Sequence, residues 1–347
     1  MPARANHYFC CGNTAKGFRN LFNTNLSGLS TVYILRGGLT CEKTAMLKEL
    51  GACWEEKGNL VEYLHCSLDQ DALDGVLVPA LSTGVIASAP PHEFAVLDGI
   101  KTAMIDCGHP CDATDTAGGL ALSDAYAAFE AALKIHDEWE AIYIGNMDFD
   151  AHNRVSQQLI DTIISNQWLG KSATVKHRFM GGATPAGPVD YIQNLTEDVG
   201  KRYFLKGRPG TGKSTLLKRL AATAESKGCD VEVYHCGFDP DSIDMVILRG
   251  LDTAVIDTTA PHEYYPGRDT DEIFDLYAMV IKPGTDELYD SRLKDIAGRY
   301  KAKIKEATAF LVKAKSIRDA LERNCGSRLT PAMIDKAKKE IFAGLDC

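Results

Sequence analysis

The chain has 347 residues, 38 Lys/Arg against 47 Asp/Glu for a formal net charge of −9, and 45% hydrophobic residues; this suits two globular domains and excludes a disordered or collagenous chain. Residues 1–176 carry 12 basic and 21 acidic side chains and residues 177–347 carry 26 of each, so neither half has the basic excess of a nucleic-acid binder. The run Gly75 to Pro91 is too short for a membrane span, and the first residues, MPARANHYFCCG, lack the apolar core of a secretory leader, so a cytoplasmic protein without a membrane segment is expected.

An internal repeat organises the reading. A shift of 170 residues lays Tyr33–Phe94 on Tyr203–Tyr264 without a gap, with 26 of 62 positions identical. The match begins near His7 on His177 and resumes with Arg154–Asp161 on Arg328–Asp335. Two α/β domains are therefore expected, 1–172 and 173–347, each with a mainly parallel sheet flanked by helices and each with a helical hairpin.

In chain order, a short lead precedes a strand at Val32–Leu35 and then GGLTCEKT, the counterpart of GRPGTGKS. Lys43 and Thr44 match Lys213 and Ser214, but Thr40 replaces Gly210 and Glu42 replaces Gly212. Both changes bring a β-carbon into a backbone that must approach phosphate closely, and Glu42 adds a like charge. Ala87 stands where the second half has Asp257. The first half thus reads as a retired or altered nucleotide site. A helix to about Gly58, a strand at Leu60–His65 and a strand pair ending at Ala87 follow.

Eleven cysteines, an odd number without framework spacing, suit reduced thiols. Cys107, His109 and Cys111 are near-neighbours with metal-binding chemistry, but no second pair matches them, so loop and core thiols are expected. From Leu120 to Ile144, and from near Ser156 to Trp168, the pattern is helical, as in an αα-hairpin.

In the second half, Gly181–Asp198 reads as an extended lead, and Tyr203–Leu205 as a strand. The nonamer Gly207, Arg208, Pro209, Gly210, Thr211, Gly212, Lys213, Ser214, Thr215 then fills the P-loop pattern G-x-x-x-x-G-K-[ST], followed by a helix with apolar positions 216, 217, 220 and 221. Such glycines bring main-chain N–H groups to phosphate oxygens at a helix N-terminus. Lys213 would reach the β- and γ-phosphates, and Ser214 would complete a magnesium shell.

Asp239, Asp241 and Asp244 follow the strand Asp230–His235, and Asp69, Asp71 and Asp74 repeat them. They are candidates for meeting a phosphoryl acceptor and taking its proton, and equally for turn and cap chemistry. Thr253–Asp257 is an apolar run ending in an acid, the Walker B form, so Asp257 is a candidate magnesium holder. Thr258, not Glu, follows it, which argues against a fast motor. His235-Cys236 and Pro261-His262-Glu263 recur as His65-Cys66 and Pro91-His92-Glu93, a retention that favours structural roles. Arg268 has no basic counterpart, and like Arg208 it is a candidate γ-phosphate contact. A long basic helix spans about Asp286–Asn324, and a second starts at Thr330-Pro331; this pair can act as a lid or pack on its twin.

On YFLKGRPGTGKST, VEVYHCGFDPDSIDMV and VIDTTAPHEY the chain resembles a family of bacterial two-domain P-loop proteins labelled ATPase or nucleotide kinase. The resemblance implies ATP and magnesium at Gly207–Thr215 and Asp257. GGLTCEKT departs from it, since such proteins tend to have a second intact loop. The expected function is a magnesium-dependent phosphotransferase or slow ATPase with an unidentified acceptor. The competing expectation is a non-catalytic switch read by a protein partner. Absence of an N-K-x-D string favours ATP over GTP mildly.

Overall fold

The computed structural model describes residues 5–89, 99–110, 116–164, 169–259, 263–325 and 329–343. The Pro91-His92-Glu93 motif, Pro261, His262, Cys111 and Trp168 lie outside them, as does the side chain of His109. No helix among the described residues is long and apolar enough to cross a membrane.

The first half runs β1 (Ala5–Phe9), β2 (Cys11–Thr14), β3 (Gly17–Asn20), α1 (Phe22–Leu26), β4 (Thr31–Gly38), α2 (Thr40–Glu56), β5 (Val61–Cys66), β6 (Asp69–Val78), β7 (Thr83–Ala87), β8 (Lys101–Pro110), α3 (Thr116–Ile144) and α4 (Phe149–Ile163). The second runs β9 (Val175–Phe179), β10 (Gly181–Thr184), β11 (Gly187–Asp190), α5 (Ile192–Leu195), β12 (Lys201–Lys206), α6 (Lys213–Ser226), β13 (Val231–His235), β14 (Ile243–Leu248), β15 (Thr253–Asp257), β16 (Glu272–Asp275), α7 (Leu276–Val280), α8 (Thr285–Leu288), α9 (Asp290–Asn324) and α10 (Pro331–Ala343).

Twelve of these strands form one sheet, in the order β16-β12-β15-β14-β13-β9-β1-β5-β6-β7-β4-β8. The order of one half repeats in reverse across the seam, where β1 and β9 meet antiparallel with Phe9 opposite Phe179. The molecule is thus α/β with a large mixed sheet flanked by helices. Parallel pairings outnumber antiparallel ones only six to five, a narrower margin than the sequence suggested. The reason is local: β5, β6 and β7 follow one another through short turns, as do β13, β14 and β15, and a short turn can join only antiparallel neighbours.

Two sequence-level boundaries move. The lead at 181–198 folds into the β10–β11 hairpin and α5, because Gly187 takes φ +98° and the Thr184 hydroxyl donates to its carbonyl at 2.8 Å. Helix α4 starts at Phe149 rather than near Ser156, because the Asp148 carboxylate caps it by accepting the Ala151 N–H at 2.8 Å.

The long hairpins cross between halves. Helix α4 of the first half packs its Ala151, Leu159 and Ile160 into the core built on Leu216, Leu217 and Leu220 of α6. Its lead-in is stitched to the second half by Asp148 N–H to Val280 O (2.8 Å) and Lys282 N–H to Asn146 O (2.9 Å). Reciprocally, α10 places Ala337 and Ile341 in the core around Trp54 of α2. Between them α3 and α9 pack through Ala125, Ala128, Phe129, Ala307 and Leu311. Arg299 also grips Glu138 with two bonds of 2.9 and 2.8 Å.

Candidate functional site

The second-half loop lies at the C-terminal end of β12. Gly210 and Gly212 take φ +78° and +83°, the left-handed region that favours glycine; these turns let the chain pass from strand to helix over six residues, 207–212. Lys213 opens α6 and is buried. Its ammonium lies in the curl of the loop, donating to Arg208 O at 2.9 Å and lying 3.7 Å from Asp257 Oδ2. Asp257 comes from the neighbouring strand, in register with Leu205. The Ser214 hydroxyl accepts the Ile243 N–H at 3.0 Å and keeps its own proton and a lone pair for another partner. Thr211 is buried, with its hydroxyl on Arg208 O at 2.8 Å. Thr259 donates to Gly207 O at 3.0 Å. Pro209 is half-buried and Thr215 exposed.

A cation held in a curl of main chain at a helix N-terminus, with a hydroxyl and a carboxylate beside it, fits a magnesium-bound polyphosphate. Ser214 and Asp257 are the residues that would hold the metal, and the loop N–H groups and Lys213 the phosphates.

Of the three acids after β13, Asp239 and Asp241 stand on the adjoining turn and Asp244 in the first residues of β14, next to Ile243, whose N–H bonds Ser214 of α6. Two of them are engaged by Lys16 of the first half, at 3.0 Å from Asp239 and 2.5 Å from Asp241. Asp239 also accepts the Ser242 hydroxyl at 2.9 Å and the Asp241 N–H at 3.3 Å, which is turn chemistry. The Asp241 carboxyl is held below its usual range by the Lys16 bond. Asp244 bonds the half-buried Cys236 thiol, which desolvation pushes well up. In the first half, Asp69 is gripped by Lys315 at 3.0 Å and Arg318 at 2.9 Å, both from α9.

Arg268 is not brought to the loop. Its guanidinium donates to Val199 O (2.8 Å) and Glu197 O (2.9 Å), before the start of β12 at Lys201, whereas the loop follows its end at Lys206. Six residues of strand separate the two by roughly 20 Å. Arg208 does belong to the loop, but it pairs with Asp286 at 2.9 Å.

The histidines of the His-Cys repeats are engaged by one another and by main-chain carbonyls. His177 Nδ1 meets His235 Nε2 at 2.8 Å, and His235 Nδ1 meets Pro240 O at 2.7 Å; His7 and His65 repeat this at 2.9 Å, with Gln70 O at 3.0 Å. A carbonyl can only accept, so Nδ1 of His65 and of His235 carries the proton and Nε2 accepts from the partner ring. Among the described cysteines Cys10, Cys11, Cys41, Cys53, Cys66, Cys107, Cys229 and Cys236 are free thiols. Cys325 is disulfide-bonded, a departure from the expected reduced set.

The corresponding first-half segment is not a loop. Strand β4 runs to Gly38 and α2 begins at Thr40, so the positions of Gly210 and Gly212 have become helical. Thr40 and Glu42 disfavour positive φ, and the segment winds into an extra helical turn instead. The N-terminus of α2 is taken by the chain itself: Thr40 donates its hydroxyl (2.5 Å) and N–H (3.2 Å) to Glu322 Oε1 of α9. Glu42 accepts the Leu329 N–H at 3.2 Å. Lys43 is buried and turns away to Ser88 O at 3.1 Å, and burial lowers its pKa.

Four residues of the first-half hairpin that face the second half carry no sequence signal at all. On α3 and α4, His152 Nε2 meets Gly212 O at 3.2 Å. The main chain of Glu140 lies so close to Gly210 that a β-carbon there would fall 2.5 Å from its carbonyl oxygen. The Tyr143 hydroxyl donates to Asp286 Oδ1 at 2.9 Å. His136 faces Phe238 and Tyr300. Crossing of hairpins brings them there, and a motif search within either half cannot find them.

Comparison with protein-family models, with curated proteins and with solved structures finds no match to this chain.

Proposed function

We propose that residues 1–172 and 173–347 are tandem copies of a P-loop NTPase domain, that the first has lost its nucleotide site, and that the second binds ATP with magnesium at Gly207–Thr215. The family of two-domain P-loop ATPases and nucleotide kinases named by the motifs is part of this reading. The observation that carries it is the Lys213 ammonium inside the curl of its loop, with the Ser214 hydroxyl and Asp257 beside it. Bound MgATP would supply a transferable γ-phosphoryl group. Lys213 would then offset the charge that builds on it, and Ser214 and Asp257 would fix the metal. Asp239, Asp241 and Asp244 face an acceptor only once Lys16 releases the first two, so a phosphotransferase or slow ATPase is favoured over a fast motor.

A specific contact favours a second reading, a nucleotide-dependent switch: the first half's hairpin is bonded to the loop of the second. ATP consumption that rises with an added small-molecule acceptor supports the enzyme. Binding with slow hydrolysis that no acceptor accelerates supports the switch.

The test of binding is titration calorimetry with MgATP on the intact protein and on Lys213→Ala and Lys43→Ala. One bound nucleotide, lost in Lys213→Ala and kept in Lys43→Ala, is the expected result. Two nucleotides, or loss in Lys43→Ala, would overturn the assignment of a retired first site.

A further inference from the structure

Two contacts join the first half's hairpin directly to the second half's loop, at Gly210 and Gly212, and a third reaches Arg208 through Asp286. His152, 4% exposed, donates from Nε2 to Gly212 O at 3.2 Å, since a carbonyl can only accept. Glu140 presses its main chain on Gly210. Tyr143, 1% exposed, donates its hydroxyl to Asp286, whose other oxygen takes Arg208 at 2.9 Å. Burial alone would raise the Asp286 carboxyl, but Arg208 and the Tyr143 and Tyr277 hydroxyls hold it below the usual carboxylate range. The hairpin is not loosely laid on this surface. Its turn is tied to Val280 and Lys282, and Arg219 of α6 bonds Gln157 of α4 at 2.9 Å.

We infer that the phosphate loop of the second half is a composite site in which Tyr143 and His152 of the first half are positioning residues for the nucleotide. Tyr143 orients Asp286, Asp286 holds Arg208, and His152 fixes the left-handed turn at Gly212, from which the loop would present main-chain N–H groups to the phosphates. Neither residue touches the nucleotide itself. The inference rests on the proposed nucleotide site and adds that the site needs both halves. It also supplies a physical route by which occupancy would be felt by α3, and through α3 by α9 and the first half.

The test uses the full chain and a non-hydrolysable ATP analogue with magnesium. Tyr143→Phe and His152→Ala are each expected to weaken binding by about fivefold or more, with the thermal midpoint little changed for Tyr143→Phe. His152→Gln, whose amide can donate to the same carbonyl, is expected to restore most of the loss. In an Arg208→Ala background Tyr143→Phe is expected to add nothing, which a merely structural tyrosine would not reproduce. Wild-type binding that both variants retain unchanged would overturn the composite site while leaving the nucleotide site standing. No binding by the wild type would overturn both. Should either variant unfold, hydrogen exchange on the wild type decides: added protection across residues 136–153 on binding supports the inference, and an unchanged pattern there overturns it.

Discussion

Glu322 lays its carboxylate across the N-terminus of helix α2, taking the Thr40 hydroxyl at 2.5 Å and its N–H at 3.2 Å. A helix N-terminus favours an anion because its first N–H groups lack partners within the helix. In the second half the equivalent end is a loop closed around a lysine; in the first it is a helical turn closed by an acid from the other half. The two loop regions, matched in sequence, therefore have opposite contents.

Removing that acid tests whether it holds the halves together. Glu322→Ala deletes a charged acceptor and its favourable helix-end interaction, a loss of about 1–2 kcal/mol. A lower urea midpoint with an unchanged slope is the expected reading. Glu322→Gln keeps an acceptor for the Thr40 hydroxyl and should fall between. A midpoint equal to wild type in Glu322→Ala would mean that Arg318 and Lys315 on Asp69 are enough to seat α9.

Much of the fold was legible because its signals are local. Apolar runs marked β4, β12 and β15, and Pro331 after Thr330 marked the start of α10. The loop between β12 and α6 was legible for the same reason, since its glycines and Lys213 fall within seven consecutive residues, 207–213. Antiparallel placement of β6 and β14 was not, because it depends on turn length rather than on strand composition. Crossing of the hairpins left no trace in either half: the periodicity of α4 shows that it has an apolar face, not that Leu216 and Leu220 are what covers it. Arg268 misled for a related reason. Its uniqueness to the second half was real, but its role there is to bond the Glu197 and Val199 carbonyls.

The His7–His65 pair predicts a pH dependence. Burial pushes His65 down from its ordinary 6.5 to about 4, so the folded protein keeps it neutral where the unfolded chain takes up a proton. The unfolded state binds more protons between pH 6.5 and 4, and stability falls as pH drops through that window, by about 3 kcal/mol in all. His7, His177 and His235 are lowered by burial too and act in the same sense. Urea midpoints measured from pH 7 to pH 4 should decline steeply for wild type and less for His65→Gln. Equal slopes would show that His65 is not the group responsible.

Asp271 controls a lower window. Its carboxylate takes two bonds from Arg202, at 2.8 and 2.7 Å, and the N–H groups of Gly267 and Arg268. The Arg202 bonds hold its carboxyl down, from the usual 3.8 to about 2. Stability from this pair is fully present above about pH 4 and is lost as pH falls toward 2, amounting to about 2 kcal/mol. Asp271→Asn should be less stable than wild type at pH 7 by that amount, and the difference should vanish as pH nears 2. A difference that persists at pH 2 would point to packing and not to charge.

Arg178 predicts the largest effect, because it is buried at the seam and its counterpart in the repeat carries no charge. The 170-residue shift places it on Tyr8, so the two faces of the seam differ: the guanidinium lies 4.1 Å from the Tyr8 ring centre, 2.9 Å from Glu62 Oε1 and 3.5 Å from Glu232 Oε2, and donates to Asn25 at 2.8 Å. It is 1% exposed. Arg178→Met would leave the Glu62 carboxylate buried without its cation, with the Tyr8 hydroxyl at 2.7 Å as its remaining side-chain partner among the described residues. Breaking one side of such a buried pair costs about 3–5 kcal/mol, whereas replacing both sides with neutral groups costs far less. Urea unfolding should therefore show a large loss for Arg178→Met and substantial recovery in the double variant Arg178→Met with Glu62→Gln. A double variant no more stable than the single would assign the loss to the Asn25 bond and the Tyr8 stack instead, and would make the seam a matter of shape, not of charge.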